Sequence, residues 1–192
     1  MRRPEPLVLA GAHATLQPLA AEHVEDLAKA ARDPQVWRWL SAAPQCSVEA
    51  MTALVRAAVA DPDRVSWAVV VDGVAVGSTS YLDIDMAVGA LEIGWTWYAR
   101  QVWATRVNPQ CKLLLLSHAF DDLGAGRVSL KIDSLNTRSR RAVLRLGATY
   151  DGTLRHHRVR PDGTVRDSAY FSVLADEWPG VRDGLLARLE GA

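Results

Sequence analysis

The chain has 192 residues and carries 22 basic and 22 acidic side chains, so its formal net charge is zero. Proteins that bind nucleic acid ordinarily carry a basic excess, so this balance argues against a nucleic-acid partner. Two cysteines do not make a disulfide framework in a chain of this length, and no stretch reaches the roughly 18 apolar residues of a membrane span. The sequence therefore predicts a single domain over residues 1–192, located in the cytoplasm and without a membrane partner.

In the first half of the chain, two helical segments lie between extended ones. Apolar residues spaced by three or four predict helices, and apolar residues at every second position predict strands. The extended segments are 7–19, 65–71, 74–85 and 91–98, and the helical segments are 20–31 and about 47–60. Ser47 is a suitable N-cap for the second helix. Asp72-Gly73 is typical of a two-residue hairpin turn.

The second half begins with the strongest helical pattern of the chain, from Arg106 to Leu123. Gly124 and Gly126 follow it, as expected at the end of a helix. The remaining segments are a strand at 128–132, a helix at 136–146, strands at 148–160 and 164–174, and a short final helix that starts at 177–179. This order of strands and helices indicates an α+β fold.

From Leu91 onward, short motifs follow one another in a fixed order. They are Leu91-Glu92-Ile93-Gly94-Trp95-Thr96-Trp97, Trp103-Ala104-Thr105-Arg106-Val107-Asn108, Lys131-Ile132-Asp133-Ser134-Leu135-Asn136-Thr137-Arg138-Ser139, Leu146-Gly147-Ala148 and Glu177-Trp178-Pro179. In this order and spacing the chain resembles the GNAT acetyltransferase superfamily, and within it the group of the ribosomal-protein N-terminal acetyltransferases RimJ and RimL. The resemblance implies a GNAT fold, in which a mixed, mostly antiparallel seven-stranded sheet splays between its fourth and fifth strands and carries flanking helices.

The resemblance also implies acetyl-CoA as cofactor and a primary amine as acceptor, either a protein N-terminus or a small molecule. In this family the pantetheine arm pairs with the fourth strand, and the pyrophosphate lies on the turn that opens the central helix. Free N–H groups and the helix dipole favour negative charge at such a turn. The residues expected to bind the cofactor are Trp95, Thr96, Trp97, Tyr98, Trp103, Ala104, Thr105, Arg106, Val107, Asn108, Asn136 and Ser139. No metal is expected, and a homodimer is consistent with the group.

Two residues are candidates for proton transfer. The resemblance implies that Glu92 accepts the proton of the amine, directly or through water; the alternative is a structural carboxylate paired with Arg or backbone. Asn136 and Ser139 match an Asn-x-x-Ser motif, in which the Asn contacts the pantetheine region and the Ser is a proposed acid for the departing thiolate. Helix capping alone would also account for both residues.

The turn before the strongest helix departs from the family pattern. Most members carry glycines where this chain has Ala104 and Arg106. One interpretation is that Arg106 contacts a CoA phosphate directly, as suits a guanidinium. The other is that the altered turn weakens CoA binding. The second interpretation motivates an alternative function, an acyl-CoA-binding regulatory module with little or no turnover.

Several aromatic residues and histidines allow structural explanations. Trp37 and Trp39 either line the acceptor groove or pack in the core. His118 lies on the core-facing side of the strongest helix and is expected to be packed there. His156 and His157 are expected to be exposed strand residues, because no Cys or carboxylate cluster at metal-ligand spacing accompanies them.

Overall fold

The computed structural model describes residues 1–40, 42, 44 and 46–191, and within this part eight strands form one sheet. The strands are β1 (Leu9–Ala10), β2 (Thr15–Pro18), β3 (Val65–Val71), β4 (Val74–Asp85), β5 (Ala90–Tyr98), β6 (Arg127–Asp133), β7 (Thr149–Val159) and β8 (Val165–Leu174). Their order in the sheet is β1-β2-β3-β4-β5-β6-β8-β7. Only β5 and β6 pair in parallel among these neighbours, so the predicted α+β class and mostly antiparallel sheet are confirmed.

The predicted number of seven strands was wrong by one. The additional strand, β1, has only two residues, which pair with Leu16 and Thr15 after the chain reverses direction. Gly11 stands within this reversal, and its amide donates to the carbonyl of Ala14 at 3.1 Å. The fourth and fifth strands of the family pattern are therefore β5 and β6 in this chain.

Five α-helices flank the sheet in the described part of the chain. They are α1 (Val24–Ala30), α2 (Val48–Ala60), α3 (Val107–Ser117), α4 (Thr137–Leu146) and α5 (Trp178–Glu190). The Ser47 side chain accepts a hydrogen bond from the amide of Ala50, as expected of the N-cap. The final helix has 13 residues and is longer than predicted, because Val181 and Leu185 bury one of its sides. No helix of the described residues is long and apolar enough to cross a membrane.

The central helix differs in one respect from the predicted helix between Arg106 and Leu123. Its α-helical part ends at Ser117, and the next turn, His118–Asp122, has π-helical hydrogen bonds. His118 is buried and stacks on Tyr81, with ring centroids 6.1 Å apart. The prediction of a packed histidine is confirmed.

Two apolar layers lie on opposite faces of the sheet. Trp67 belongs to the layer beneath α3 and α5, whereas its neighbour Ala68 belongs to the layer beneath α1 and α2. Successive side chains of a strand point to opposite faces, so this alternation assigns each helix pair to one face. The buried residues of β6 and β8 on the α1 side are polar, and they include Asp133, Arg166 and Ser168.

Candidate active site

The sheet opens between β5 and β6. The two strands pair only at their first residues, and the last pair joins Glu92 to Ser129. β5 nevertheless continues to pair with β4 as far as Tyr98. The side of β5 that faces β6 is therefore free of a neighbouring strand from Ile93 onward, which gives the splay that the resemblance implies.

A bulge shapes β5 along this opening. Trp95 and Thr96 lie together opposite the single residue Thr79, and Trp95 has a φ of 48°. This left-handed conformation is rare outside glycine and indicates local strain. The Thr96 hydroxyl lies 2.8 Å from the Thr79 hydroxyl. The Arg64 guanidinium lies over the Trp95 ring, 5.0 Å from its centroid. A bulge bends its strand, which is consistent with the separation of β5 from β6.

The turn that precedes α3 shows what replaces the glycines of the family. Ala104 has a φ of 61°, so it adopts the left-handed conformation that glycine adopts without strain. Arg106 is the N-cap with φ −70° and ψ −11°, an ordinary helical conformation that needs no glycine. A cleft of about 850 Å³ opens at this turn, and Thr105, Arg106 and Val107 form part of its wall. Only one of the two substitutions therefore strains the backbone.

The start of α4 lies against the same turn. The Trp103 indole donates a hydrogen bond from Nε1 to the carbonyl of Tyr98 at 2.9 Å. The Arg138 guanidinium lies 3.7 Å from the centroid of the Trp103 ring. Asn136 is the N-cap of α4, and its Oδ1 accepts from the amide of Ser139 at 3.1 Å. The structure thus brings the turn, the end of β5 and the Asn136/Ser139 pair together. Asn136 has a capping role, and Ser139 contributes its amide to that cap.

Lys112 is a buried cation on the α3 side of the opening. Its Nζ donates to the Thr96 hydroxyl at 3.4 Å. None of the ion pairs among the described residues involves Lys112. Burial lowers the pKa of this lysine from 10.5 to about 8. Beside it, the Tyr98 hydroxyl donates to Asn108 Oδ1 at 3.1 Å and ties the end of β5 to α3.

Glu92 stands at the point where the strands separate. Its side chain is buried, and Oε2 lies 2.6 Å from Lys131 Nζ. Lys131 also forms an ion pair with Asp83. Burial raises the pKa of Glu92, and the hydrogen bond and positive charge of Lys131 oppose that rise. The other oxygen, Oε1, would lie 2.6 Å from a Cβ atom at Gly94, so the carboxylate depends on a glycine at that position.

Sequence reasoning did not identify Lys131 as the neighbour of Glu92. The structural alternative for Glu92 named Arg or backbone as the partner, whereas the partner is a lysine on β6. The parallel register of β5 with β6 determines this pairing, and register between distant segments is not visible in the sequence.

The aromatic and histidine side chains whose roles the sequence left open lie in different environments. Trp37 is buried in the core with its ring centroid 5.6 Å from that of Trp97, so packing accounts for it, whereas Trp39 is half-buried. Trp97 can therefore offer the opening its backbone but not its ring. His156 is exposed as expected, but His157 is half-buried and its Nδ1 has no hydrogen-bond partner among the described residues.

The chain matches the family model described as "Acetyltransferase (GNAT) domain" over residues 13–149. The chain therefore belongs to the GNAT acetyltransferase family, and the resemblance inferred from its motifs is confirmed.

Individual relatives agree with this assignment. The "Putative ribosomal N-acetyltransferase YdaF" of Bacillus subtilis (strain 168) is 27% identical over 121 residues, which are 63% of this chain. This match spans 65% of the length of that relative. The crystal structure of a GCN5-related N-acetyltransferase from Brucella melitensis is 29% identical with a TM-score of 0.93, covering 98% of this chain and 87% of that one.

A third comparison concerns the fold alone. Mycobacterium smegmatis RimJ, solved in complex with CoA-disulfide, is 20% identical with a TM-score of 0.80. The match covers 94% of this chain and 91% of the RimJ chain. At this identity the likeness shows a shared fold and no more.

Proposed function

We propose that this protein transfers the acetyl group of acetyl-CoA to a primary amine. The observation that carries the proposal is the opening between β5 and β6, which leads to the N-terminus of α3. Family membership supports the cofactor, as does the CoA compound in the solved structure of RimJ.

The pantetheine arm lies along the free side of β5 in this proposal. An extended chain with amide groups can add to an exposed strand edge through main-chain hydrogen bonds. Trp95, Thr96, Trp97 and Tyr98 would supply those backbone groups. The bulge at Trp95 interrupts the regular register of β5 with β4 along this stretch.

The pyrophosphate lies at the turn before α3, within reach of residues 103–108. The first amides of a helix lack intrahelical acceptors, and the helix dipole adds to their attraction for anions. The Val107 amide already donates to the Thr105 hydroxyl at 3.3 Å, and the Gln110 amide donates to the Arg106 carbonyl at 2.9 Å. Because Pro109 has no N–H, the Asn108 amide and the Arg106 side chain remain for phosphate. Asn136 and Ser139, on the facing α4, would border the thioester end of the arm.

The chemistry requires a neutral amine that attacks the thioester carbon. The new C–N bond forms, the C–S bond breaks, the amine proton passes to Glu92 and the CoA thiolate takes a proton from Ser139. Ser139 then regains a proton from Glu92 through water, which restores both residues. A backbone N–H of β5, at Trp97 or Tyr98, would stabilise the oxyanion. The raised pKa of Glu92 favours its work as a base near neutral pH. The ion pair with Lys131 holds the carboxylate in place.

The alternative is an acyl-CoA-binding regulatory module with little or no turnover. Two observations favour the regulatory module. Ala104 occupies a position where the family has glycine, and the negative charge of Glu92 is already paired with Lys131. Both functions require acetyl-CoA binding, so only the appearance of product separates them.

The test combines calorimetric titration of acetyl-CoA with release of free CoA thiol over a panel of primary amines. The proposal predicts saturable binding and amine-dependent thiol release. Glu92→Gln is expected to retain binding and to lose most of the turnover near neutral pH. Ser134→Ala, on the loop between β6 and α4, serves as the control for a mild polar substitution. Binding without thiol release from any amine would favour the regulatory module, and full activity of Glu92→Gln would remove Glu92 as the base.

A further inference from the structure

A cluster of charged residues occupies the face of the sheet opposite α3, where β5, β6, β8 and β7 lie near one another. The strand neighbours of Glu92 and Lys131 belong to the apolar layer beneath α3, so alternation places both charged side chains on the other face. Arg166 shares that face, because its Nε donates to the Ser168 hydroxyl at 3.0 Å and Ala169 belongs to the apolar layer.

Two arginines stand directly opposite each other in this cluster. Arg158 on β7 and Arg166 on β8 are partners in the antiparallel register, so their side chains emerge on the same face. Arg158 is exposed, whereas Arg166 is buried with 9% of its surface accessible. Like charges directly opposite each other destabilise a strand pair, and the negative charge of Asp133 acts against this repulsion at Arg166. No such charge lies beside Arg158 among the ion pairs of the described residues.

The acidic side chains nearby are already engaged. Asp133 accepts two hydrogen bonds from Arg160, at 2.7 and 3.0 Å. Asp83 and Glu92 both pair with Lys131. Neither arginine of the opposed pair forms an ion pair with any residue that the structure describes.

The arginine pair is electrostatically coupled to the proposed base. Burial raises the pKa of Glu92, whereas the charges of Lys131 and, to a smaller extent, Arg158 lower it. Burial lowers the pKa of Arg166, whereas the negative charges of Asp133 and, to a smaller extent, Glu92 raise it. His157, next to Arg158 in the chain, has its pKa lowered by burial and then by the positive charges of Arg158, Lys131 and Arg166. Its buried Nδ1 has no partner among the described residues, while its Nε2 lies 3.5 Å from the Tyr170 hydroxyl. A positively charged site with a spare polar atom therefore borders Glu92.

We propose that Arg158 and Arg166 bind a carboxylate carried by the acceptor, so that the substrates of this enzyme are primary amines with an anionic group in the same molecule. This inference rests on the proposed acetyl transfer. A carboxylate between the two guanidinium groups removes their mutual repulsion and accepts charge-assisted hydrogen bonds. The amine of the same molecule then extends toward Glu92. Free amino acids and acidic peptides both have this chemistry.

The test compares matched acceptors that differ only in the anionic group. Each amino acid is paired with its C-terminal amide, and each acidic peptide with the peptide in which Gln or Asn replaces the acidic residue. Rates are expressed per concentration of neutral amine, because amidation lowers the pKa of a neighbouring amine. The wild-type protein is expected to favour the carboxylate in kcat/KM. Arg158→Gln and Arg166→Gln are expected to lower kcat/KM for the carboxylate roughly ten- to hundredfold more than kcat/KM for the amide. Any change at Glu92 itself affects both acceptors alike, so the ratio of the two values reports the carboxylate site.

Two further variants keep the result interpretable. Arg145→Gln removes the same charge from the exposed surface of α4 and is expected to leave the preference intact. Arg166→Lys keeps the charge and is expected to retain part of the preference, which a merely structural arginine would not do. Circular dichroism and saturable acetyl-CoA binding show that a variant remains folded.

The possible outcomes separate this inference from the function on which it rests. Equal kcat/KM for acid and amide, or equal losses on both in the arginine variants, would overturn the carboxylate site while thiol release still supports acetyl transfer. Thiol release from no amine would overturn acetyl transfer and the carboxylate site with it. Selectivity confined to the amino acids or to the peptides identifies which source the site accepts.

Discussion

Replacement of Lys112 by methionine is expected to stabilise the protein. Lys112 is buried with 7% of its surface accessible, and its only described polar contact is a 3.4 Å hydrogen bond to the Thr96 hydroxyl. Burial lowers its pKa from 10.5 to about 8, which means that the folded state disfavours the charged form. Methionine has a similar length and no charge, so it fills the same space without a cavity.

The expected gain in the free energy of unfolding follows from the difference between the pKa of Lys112 in the unfolded and in the folded protein. A difference from 10.5 to about 8, at about 1.36 kcal/mol per pH unit, gives about 3 kcal/mol. Below pH 8 the ammonium group of Lys112 is charged in both the folded and the unfolded protein. Burial of this charge therefore lowers the stability of the folded protein by the full amount. Between 8 and 10.5 the folded state has lost the proton that the unfolded state retains, so the stability of the wild-type protein rises with pH. The advantage of Lys112→Met is therefore largest below pH 8 and disappears near 10.5.

Urea unfolding of both proteins, followed by circular dichroism near pH 7 and near pH 10, measures this effect. Lys29→Met is the matched control, because Lys29 is exposed and only pairs with Asp26 on the surface. The control is expected to change the free energy of unfolding by less than about 1 kcal/mol. A destabilised Lys112→Met near pH 7, or an advantage that does not shrink at high pH, would refute the reasoning about a buried, unpaired ammonium group.

Three further substitutions test local features of the site. Ala104→Gly is expected to raise the free energy of unfolding by about 1 kcal/mol in thermal or urea unfolding, because Ala104 has a φ of 61°. A loss of stability would contradict the strain assigned to this turn. Gly94→Ala is expected to lower stability by about 1–3 kcal/mol and to reduce thiol release, because its Cβ would lie 2.6 Å from Glu92 Oε1. Gly184→Ala, whose Cβ meets nothing within 4 Å, is its control, and similar behaviour of the two variants would count against a role for Gly94. Ser139→Ala is expected to retain the fold and to slow thiol release; near-normal turnover would leave Ser139 with its place in the first turn of α4 alone.

Features determined by neighbouring residues in the sequence could be predicted. The Ser47 cap requires only a side-chain oxygen three residues before a free amide, and the structure contains that contact. The Asp72-Gly73 turn, with φ values of 49° and 80°, and the left-handed Gly147 after α4 depend equally on local chemistry. The order of strands and helices followed from the periodicity of apolar residues, and the splay followed from the family resemblance.

Features determined by contacts between distant segments could not be predicted. The pairing of Glu92 with Lys131 and the opposition of Arg158 and Arg166 both depend on strand register. A shift of one residue would move each side chain to the other face of the sheet, and no local pattern excludes such a shift. The bulge at Trp95 and the π-helical turn at His118 arise in the same way, because the packing of β5 and α3 determines them.

Transfer of an isotopically labelled acetyl group tests the central claim most directly. The protein is incubated with acetyl-CoA labelled in the acetyl group and with a carboxylate-bearing amine, and mass spectrometry follows the products. The account predicts labelled N-acetyl product and free CoA in equal amounts, with a strong reduction of both in Glu92→Gln. Saturable binding of acetyl-CoA with no label in any amine of the panel would contradict acetyl transfer and would favour the regulatory module.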